Sequence, residues 1–426
     1  MCIGRLLGIS DLEEEKEQII CLKYIRKYLR YEVNGMRRIK KYINYYFAKE
    51  LQILRKLDYI LLYRYFCLRY KLNENQILIL SESREELSGN LKFIDEKIDK
   101  KQYKVEYFFR KSIMIKNNFA EKKEICRKMS QSKYILVDDF IPMMYPIPLR
   151  KETRFIQVWH AMGAFKTVGF SRLGKKGGPS PRSLTHRNYT DTIVSSESIR
   201  ENYAEAFGIS MDKVHAIGIP RTDIFFDETY KKTVKESLYA RYPQLQGKKV
   251  VLFAPTFRGS GVKTAHYDYS WIDLKNLEAK LKDEYIFIIK MHPFIRELPE
   301  EIKSEFFIDL SEEREINDLL FVTDCLVTDY SSVIFEASLL DIKTVFFAPD
   351  LEEYMQDRDF YYTFEEYTFG PVVRSTDELI SAIKSGRTDE EKLKRFKEKF
   401  CDSCDGKSTE RFVNYFFGKG EKSYGK

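Results

Sequence analysis

The sequence predicts an α/β protein built as two doubly wound, parallel-sheet (Rossmann-like) halves facing each other across a cleft, preceded by a helical N-terminal extension. Three observations predict it. At 426 residues the chain exceeds the length at which one hydrophobic core usually stops growing, so two domains are expected. Hydrophobic residues make up 43% of it and charged ones 32%, enough apolar material for two cores and too much for a disordered chain. From about residue 76, short β-rich runs alternate with helical stretches in two successive series, the rhythm of parallel sheets with crossover helices.

Residues 1–72 form the extension. Between residues 16 and 71 stand fifteen Lys/Arg against four Asp/Glu, whereas the whole chain carries only +7. Within it Ile39, Ile43, Phe47, Leu51, Leu54 and Leu61 recur at three- to four-residue spacing, which predicts a basic amphipathic helix. Such a helix suits an anionic membrane surface, with packing on the protein's own body as the other expectation. No nucleic-acid motif accompanies the charge, so nucleic acid is not an expected partner. The best apolar run, Tyr59–Phe66, is broken by Arg64 and is far short of the roughly 20 residues a membrane span needs. Met1–Glu17 has an apolar patch followed by glutamates and no small-residue cleavage site, so a signal peptide is not expected. The expected location is the cytoplasmic face of a membrane, peripherally attached. Seven irregularly spaced cysteines fit reduced thiols, and Cys401-x-x-Cys404, lacking a second pair or a nearby histidine, predicts no metal or redox chemistry.

Residues 73–230 form the first α/β domain, with β-rich runs at Gln76–Leu80, Tyr103–Phe109, Tyr134–Val137 and Phe155–Trp159 and a helical stretch at Leu87–Ile98. A Gly-, Pro- and basic-rich segment, Gly163–Arg187, follows. Residues 231–426 form the second, with strands at Val250–Ala254, Tyr285–Lys290, Cys325–Thr328 and Thr344–Phe347. Helices are expected at Lys231–Tyr242, Leu274–Leu281, Ile316–Phe321 and Ser332–Leu339. Three more, Asp377–Lys384, Glu390–Phe400 and Ser408–Phe417, are expected to pack back across this second sheet. Two such halves facing a cleft make a GT-B-like architecture.

Ligands of open parallel sheets sit beyond the carboxyl ends of the strands, so the residues just past each strand carry the information. They are His160, Pro255-Thr256-Phe257-Arg258, His292-Pro293 and Asp329-Tyr330-Ser331-Ser332. Singly, a histidine is more often a packing residue. Two at such positions, out of five in the chain, point to chemistry: a neutral imidazole takes a proton from a hydroxyl, and an imidazolium counters phosphate charge or protonates a leaving group. Ser331 and Ser332 open a helix, where hydroxyls and backbone N–H groups suit phosphate, although either serine is also an ordinary N-cap. Arg221 and Arg258 can offer guanidinium forks to a diphosphate. His186, His215 and His266 are expected to be packing or surface residues. No metal-ligand spacing, no Gly-x-Gly-x-x-Gly and no Walker A motif is present, so no resident cofactor is expected and no metal ligands are assigned.

These residues stand in ordered blocks: Gln157-Val158-Trp159-His160-Ala161-Met162-Gly163-Ala164-Phe165-Lys166, Gly218-Ile219-Pro220-Arg221-Thr222-Asp223, Ala254-Pro255-Thr256-Phe257-Arg258, Lys290-Met291-His292-Pro293, Thr328-Asp329-Tyr330-Ser331-Ser332-Val333-Ile334-Phe335-Glu336, and Asp350-Leu351-Glu352-Glu353-Tyr354 with Arg358-Asp359-Phe360-Tyr361. The set, over about residues 76–415, resembles the CDP-glycerol glycerophosphotransferase family, the teichoic acid glycerol- and ribitol-phosphate transferases. The resemblance implies a GT-B fold whose C-terminal half holds CDP-glycerol or CDP-ribitol and whose N-terminal half presents a lipid-linked polymer acceptor. It implies that His160 is the base that deprotonates the acceptor hydroxyl, which attacks the β-phosphate and expels CMP. It implies that His292, Arg258, Ser331 and Ser332 hold the diphosphate, with Lys166, Arg221, Thr256, Asp329 and Glu336 also at the substrate. Ala161, Asp359 and Glu336 depart from the commonest family residues and bear on alditol and acceptor preference. A nucleotide-sugar glycosyltransferase and a non-catalytic membrane module that binds anionic polymer are the alternative readings.

Overall fold

The computed structural model describes residues 35–418 except 176, 260–262, 296 and 314, so Met1–Glu17 and the first half of the basic arm lie outside the described residues. Strands β1 (Asn73–Ser81), β2 (Lys104–Phe109), β3 (Ser132–Val137), β4 (Arg154–Gln157), β5 (Asp191–Val194) and β6 (Val214–Ala216) form one sheet in the order β2-β1-β3-β4-β5-β6. Strands β7 (Lys249–Phe253), β8 (Tyr285–Ile289), β9 (Phe307–Asp309), β10 (Cys325–Thr328), β11 (Lys343–Phe347) and β12 (Val372–Val373) form a second in the order β12-β11-β10-β7-β8-β9. Every pairing in both is parallel. Helices therefore cover both faces, and the central strands are continuous apolar runs: Ile77–Leu80 and Val251–Leu252 are fully buried. The chain reverses its direction of travel across the first sheet between β1 and β3, and across the second between β7 and β10. Such switch points open a crevice at the strands' carboxyl ends.

Four strands go beyond the sequence expectation: β5, β6, β9 and β12 have four, three, three and two residues, too few to show a period. The first two also carry a polar cluster in place of an apolar run, Arg154 and His215 both bonding to Asp191. The C-terminal helices divide their work. Thr376–Ser385 packs against β11 and the helix Leu274–Leu281 of the second sheet, as expected. Ser408–Phe417 returns to the first sheet, burying Phe412, Phe416 and Phe417 with Ile77, Ile79 and Leu136, while the Tyr103 hydroxyl donates to the Phe417 carbonyl at 2.9 Å. Between them, Glu390–Phe400 bridges the domains: its Phe396 and Phe400 lie on Phe335, and Ser195 Oγ donates to the Phe400 carbonyl at 2.7 Å.

Over its described residues the arm forms three helices, Gly35–Tyr46, Ala48–Arg55 and Leu57–Arg69, interrupted where Phe47 and Lys56 leave helical geometry. The last one belongs to the first domain, since Tyr59, Ile60, Tyr63 and Phe66 are buried with Ile125, Cys126 and Met129 of the helix Phe119–Gln131. Its other face does not: Leu61 and Leu68 are exposed, as are Ile39, Ile43, Phe47, Leu54 and Leu57 before them, while Leu51 is half-buried. Among the described residues no helix is long and apolar enough to cross a membrane.

Candidate active site

The wall formed by the first domain begins where β4 ends. Trp159 adopts a left-handed backbone, φ 50°, rare for a bulky residue. Its N–H donates to Gln157 Oε1 at 2.8 Å, and its carbonyl accepts from Asn90 Nδ2 at 2.8 Å. The turn lifts His160 out of the sheet, its side chain 43% exposed and its ring 4.6 Å from that of Trp159. His160 Nδ1 lies 3.3 Å from the Asp138 carbonyl, just past β3 at the first sheet's switch point. A carbonyl can only accept, so Nδ1 carries the proton and Nε2 keeps a lone pair. The Asp139 carboxylate stands 3.6 Å from the same Nδ1 and favours that arrangement.

The facing wall is built on the switch point of the second sheet. Asp329, 1% exposed, accepts from the backbone N–H of Thr256 at 2.7 Å and so joins the ends of β10 and β7. Its other oxygen lies 3.0 Å from Arg258 Nη1. Arg258 also forks onto Asp350, Nε to Oδ2 at 2.6 Å and Nη2 to Oδ1 at 2.8 Å, and lies over the rings of Tyr354, Trp271 and Tyr330 at 4.9, 5.0 and 5.1 Å. Burial opposes its charge, but Asp350 and Asp329 outweigh burial and hold the guanidinium above its ordinary range. Arg258 is thus saturated by protein partners and acts as the rigid centre of this wall.

His292, past β8, sits between Phe257 and Phe294 at 4.6 and 4.5 Å. Its Nδ1 accepts from the Phe294 backbone N–H at 3.2 Å, which leaves the proton on Nε2. Burial first, then Lys290 and Lys166, pushes its pKa down to about 4. At neutral pH His292 is an uncharged hydrogen-bond donor. Lys166 reaches this wall from the first domain, pairing through its backbone with Phe360 and placing Nζ 5.4 Å over the Tyr354 ring. Among the described residues it has no hydrogen bond or ion pair. Burial pushes its pKa down to about 7, Arg358 and Arg258 adding to the effect against the pull of Asp329. With its charge disfavoured by burial and no ion pair among the described residues, it is the kind of group that gains most from an incoming phosphate.

Between the walls lies a cavity of about 1280 Å³, lined by Trp159, Thr167, Arg172 and His186 on one side and by Phe257, Arg258, Trp271, Tyr354 and Arg358 on the other. Trp159 and Phe257 both face it, and each packs on one of the two histidines. The domains meet closely behind it: a Cβ on Gly163, which has φ +70°, would fall 2.4 Å from the Phe335 ring, so only glycine fits there.

Of the residues expected at substrate, Lys166, Thr256, Arg258 and Asp329 form one cluster with His292 beside it. Arg221 and Glu336 bond to each other across the domain contact, Glu336 being 2% exposed. Ser331 and Ser332 stand half-exposed at the start of the helix Val333–Leu339, but its first amides turn inward, Val333 N–H to Ser331 Oγ at 3.4 Å and Phe335 N–H to the Ser332 carbonyl at 3.1 Å. That end offers hydroxyls more than free N–H groups. His186 is buried with its pKa pushed down to about 3, donating or accepting at the Tyr145 and Tyr189 hydroxyls, yet it also lines the cavity, as does His266. The Cys401 and Cys404 thiols are buried and pushed up in pKa by that burial, as unreactive packing groups are. Asp350, Trp271 and Asn90 escaped the sequence reading as site residues. Asp350 lay in a motif block, and Trp271 is one of only two tryptophans.

A family model for CDP-Glycerol:Poly(glycerophosphate) glycerophosphotransferase matches residues 61–418. The chain is 47% identical over 348 residues to a teichoic acid poly(ribitol-phosphate) polymerase of Bacillus spizizenii, covering 80% of this chain and 56% of that protein. It is 44% identical over 349 residues to the teichoic acid ribitol-phosphate polymerase TarK of Staphylococcus aureus, covering 80% of this chain and 68% of that one. The chain thus spans little more than half the length of the first relative. The fold is that of the wall teichoic acid polymerase TagF, with a TM-score of 0.68 at 22% identity over 86% of this chain and 96% of that one. Two parallel sheets with a cleft between them, the ordered motif blocks and a match over residues 61–418 together place this chain in the CDP-glycerol:poly(glycerophosphate) glycerophosphotransferase family.

Proposed function

We propose that this protein transfers an alditol phosphate, ribitol phosphate in first preference, from its CDP carrier to a hydroxyl of a teichoic-acid-like polymer, releasing CMP. The observation that carries the reading is the opposite backbone partner behind each of two histidines, a carbonyl at His160 Nδ1 and an N–H at His292 Nδ1, each ring packed on an aromatic side chain that lines the cavity. In the reaction the acceptor oxygen forms a bond to the β-phosphorus, while the bond from that phosphorus to the bridging oxygen breaks and the oxygen leaves with CMP. His160 Nε2 takes the hydroxyl proton and, being exposed, returns it to solvent. His292 Nε2–H and the Lys166 ammonium face the charge gathering on the diphosphate, supplying preorganised electrostatics in a desolvated wall. Ribitol is preferred because the relatives at 40–47% identity are ribitol-phosphate polymerases, while glycerol-phosphate relatives stand at 28–31%.

Attachment to the cytoplasmic membrane surface is the second part of the proposal. The arm's open apolar face is supported by a loop at its side, where Ile113, Met114, Ile115 and Phe119 are exposed among Lys111, Lys116 and Lys123. Asn117 Nδ2 donates to the Tyr59 hydroxyl at 2.6 Å and Lys122 pairs with Asp58 at 2.6 Å, so the loop adjoins the first turn of the helix Leu57–Arg69. Apolar side chains ringed by lysines fit an anionic, lipid-linked acceptor's membrane.

A donor screen tests the first part: CMP release from CDP-ribitol and CDP-glycerol with a lipid-linked acceptor, against UDP release from UDP-sugars. Turnover of CDP-ribitol is expected, and turnover of UDP-sugars alone would make the protein a glycosyltransferase. Sedimentation with phosphatidylglycerol vesicles tests the second. Binding that is unchanged in a Leu54→Glu, Leu57→Glu, Met114→Glu variant would refute this surface.

A further inference from the structure

Asn90 lies in the first turn of the helix Gly89–Lys97, 3% exposed, and commits its carboxamide entirely to backbone. Its Nδ2 donates to the carbonyls of Val158 and Trp159 at 3.2 and 2.8 Å, and its Oδ1 accepts from the Arg221 N–H at 2.9 Å. The left-handed Trp159 is therefore held at both ends, by Gln157 at its N–H and by Asn90 at its carbonyl. Backbone of this kind persists only where its surroundings over-determine it, and such places cluster at active sites. The grip continues into the other domain. The Arg221 guanidinium bonds to Glu336, on the helix that Ser331 and Ser332 begin. One line of contacts thus runs from the expected phosphate end of the second domain, through Glu336, Arg221 and Asn90, to the residue next to His160.

We propose that Asn90 is a positioning residue for the transfer step: it fixes the Trp159 turn that sets His160 beside the cavity Trp159 lines, and it ties that placement to the interdomain contact. The proposal rests on the reading of His160 as base. Misplacing a catalytic group by about 1 Å costs on the order of 100-fold in rate without any loss of substrate contacts. Asn90→Asp isolates the effect, because a carboxylate still accepts from the Arg221 N–H but has nothing to donate to the two carbonyls.

In the full-length chain the Asn90→Asp variant is expected to lower kcat for CMP release about 100-fold while leaving the CDP-ribitol Kd within about twofold by calorimetry. With 15N-histidine labelling, the His160 imidazole signal, assigned by its loss in His160→Ala, should leave the Nδ1–H tautomer position. An unchanged kcat, or an unchanged His160 signal beside a reduced kcat, would overturn the proposal. If Asn90→Asp melts far below the parent, Arg221→Lys serves in its place: it keeps the backbone N–H to Asn90 while disturbing the Glu336 contact, and unchanged kcat and unchanged His160 signal would equally overturn it. Full turnover in His160→Ala would instead remove the base assignment itself, an outcome separable from any effect at Asn90.

Discussion

Behind a lining aromatic on each wall of the cleft, Trp159 on one and Phe257 on the other, lies a histidine, and the two are set for opposite chemistry. His160 stands 43% exposed on a strained turn, with a carbonyl at Nδ1; His292 is wedged between two phenylalanines, with a backbone N–H at Nδ1. The first is left with a basic nitrogen open to solvent, the second with an acidic N–H in a desolvated frame that keeps it uncharged down to about pH 4. What a histidine can do here is decided by the backbone group behind it. The first wall is fixed through Gln157 and Asn90 at the Trp159 turn, the second by the Arg258 fork onto Asp350 and its bond to Asp329.

The sharpest way to break this comparison is to exchange each imidazole for a group with only half its chemistry. His160→Gln should lose about 1,000-fold in kcat, as much as His160→Ala, because an amide cannot accept the proton. Recovery in the glutamine variant would show that His160 works by hydrogen bonding instead. On the other wall, Arg258→Ala strands the Asp329 and Asp350 carboxylates in a largely buried frame and should cost about 3 kcal/mol of stability in urea unfolding. A loss near zero would mean the wall is not held by this fork. His292→Ala should lower kcat about 100-fold, the usual effect of removing one preorganised donor, and His292→Gln should restore part of it. Equal rates in the two variants would refute the donor role.

The smallest effect is a proton count. Free Lys166 titrates at about 7 because burial disfavours its charge, so at pH 8 it is mostly neutral, and an arriving diphosphate should recharge it. CDP-ribitol binding at pH 8 should therefore take up nearly one proton, read from calorimetry in buffers of different ionisation enthalpy, and Lys166→Met should abolish the uptake. The linkage to folding follows the same sign. A lysine whose folded pKa is depressed binds fewer protons folded than unfolded between about pH 7 and its ordinary value, so its cost to stability is greatest below pH 7 and fades as pH rises through that window.

Much of this was legible before any coordinates. Apolar strands with punctuating motifs, such as Cys325–Thr328 followed by Asp329-Tyr330-Ser331-Ser332, carry their crevice position in the sequence. Leu274–Leu281, Glu390–Phe400 and Ser408–Phe417 fall where expected to the residue, since amphipathic helices of that length average out local ambiguity. The two-residue strand β12 and the polar β5 and β6 do not announce themselves, because sheet membership there comes from tertiary pairing. Nor does the sequence say where Ser408–Phe417 docks: its phenylalanines advertise burial without naming a sheet. At the site, residue types showed that Arg258 and Arg221 were cations near phosphate chemistry. Only the fold shows that both spend their charge on Asp350, Asp329 and Glu336, leaving Lys166 without an ion pair among the described residues. Tautomers were equally hidden, since they depend on which backbone group lies behind each ring.

The most direct test is the pH dependence of kcat for CMP release from CDP-ribitol, with a lipid-linked acceptor, in the parent and in His160→Ala and His292→Gln. The acid-side fall in rate should vanish in His160→Ala, leaving a low, flat residual rate, and should persist in His292→Gln. A fall that survives the loss of His160, or disappears with His292, would contradict the division of labour between the two walls.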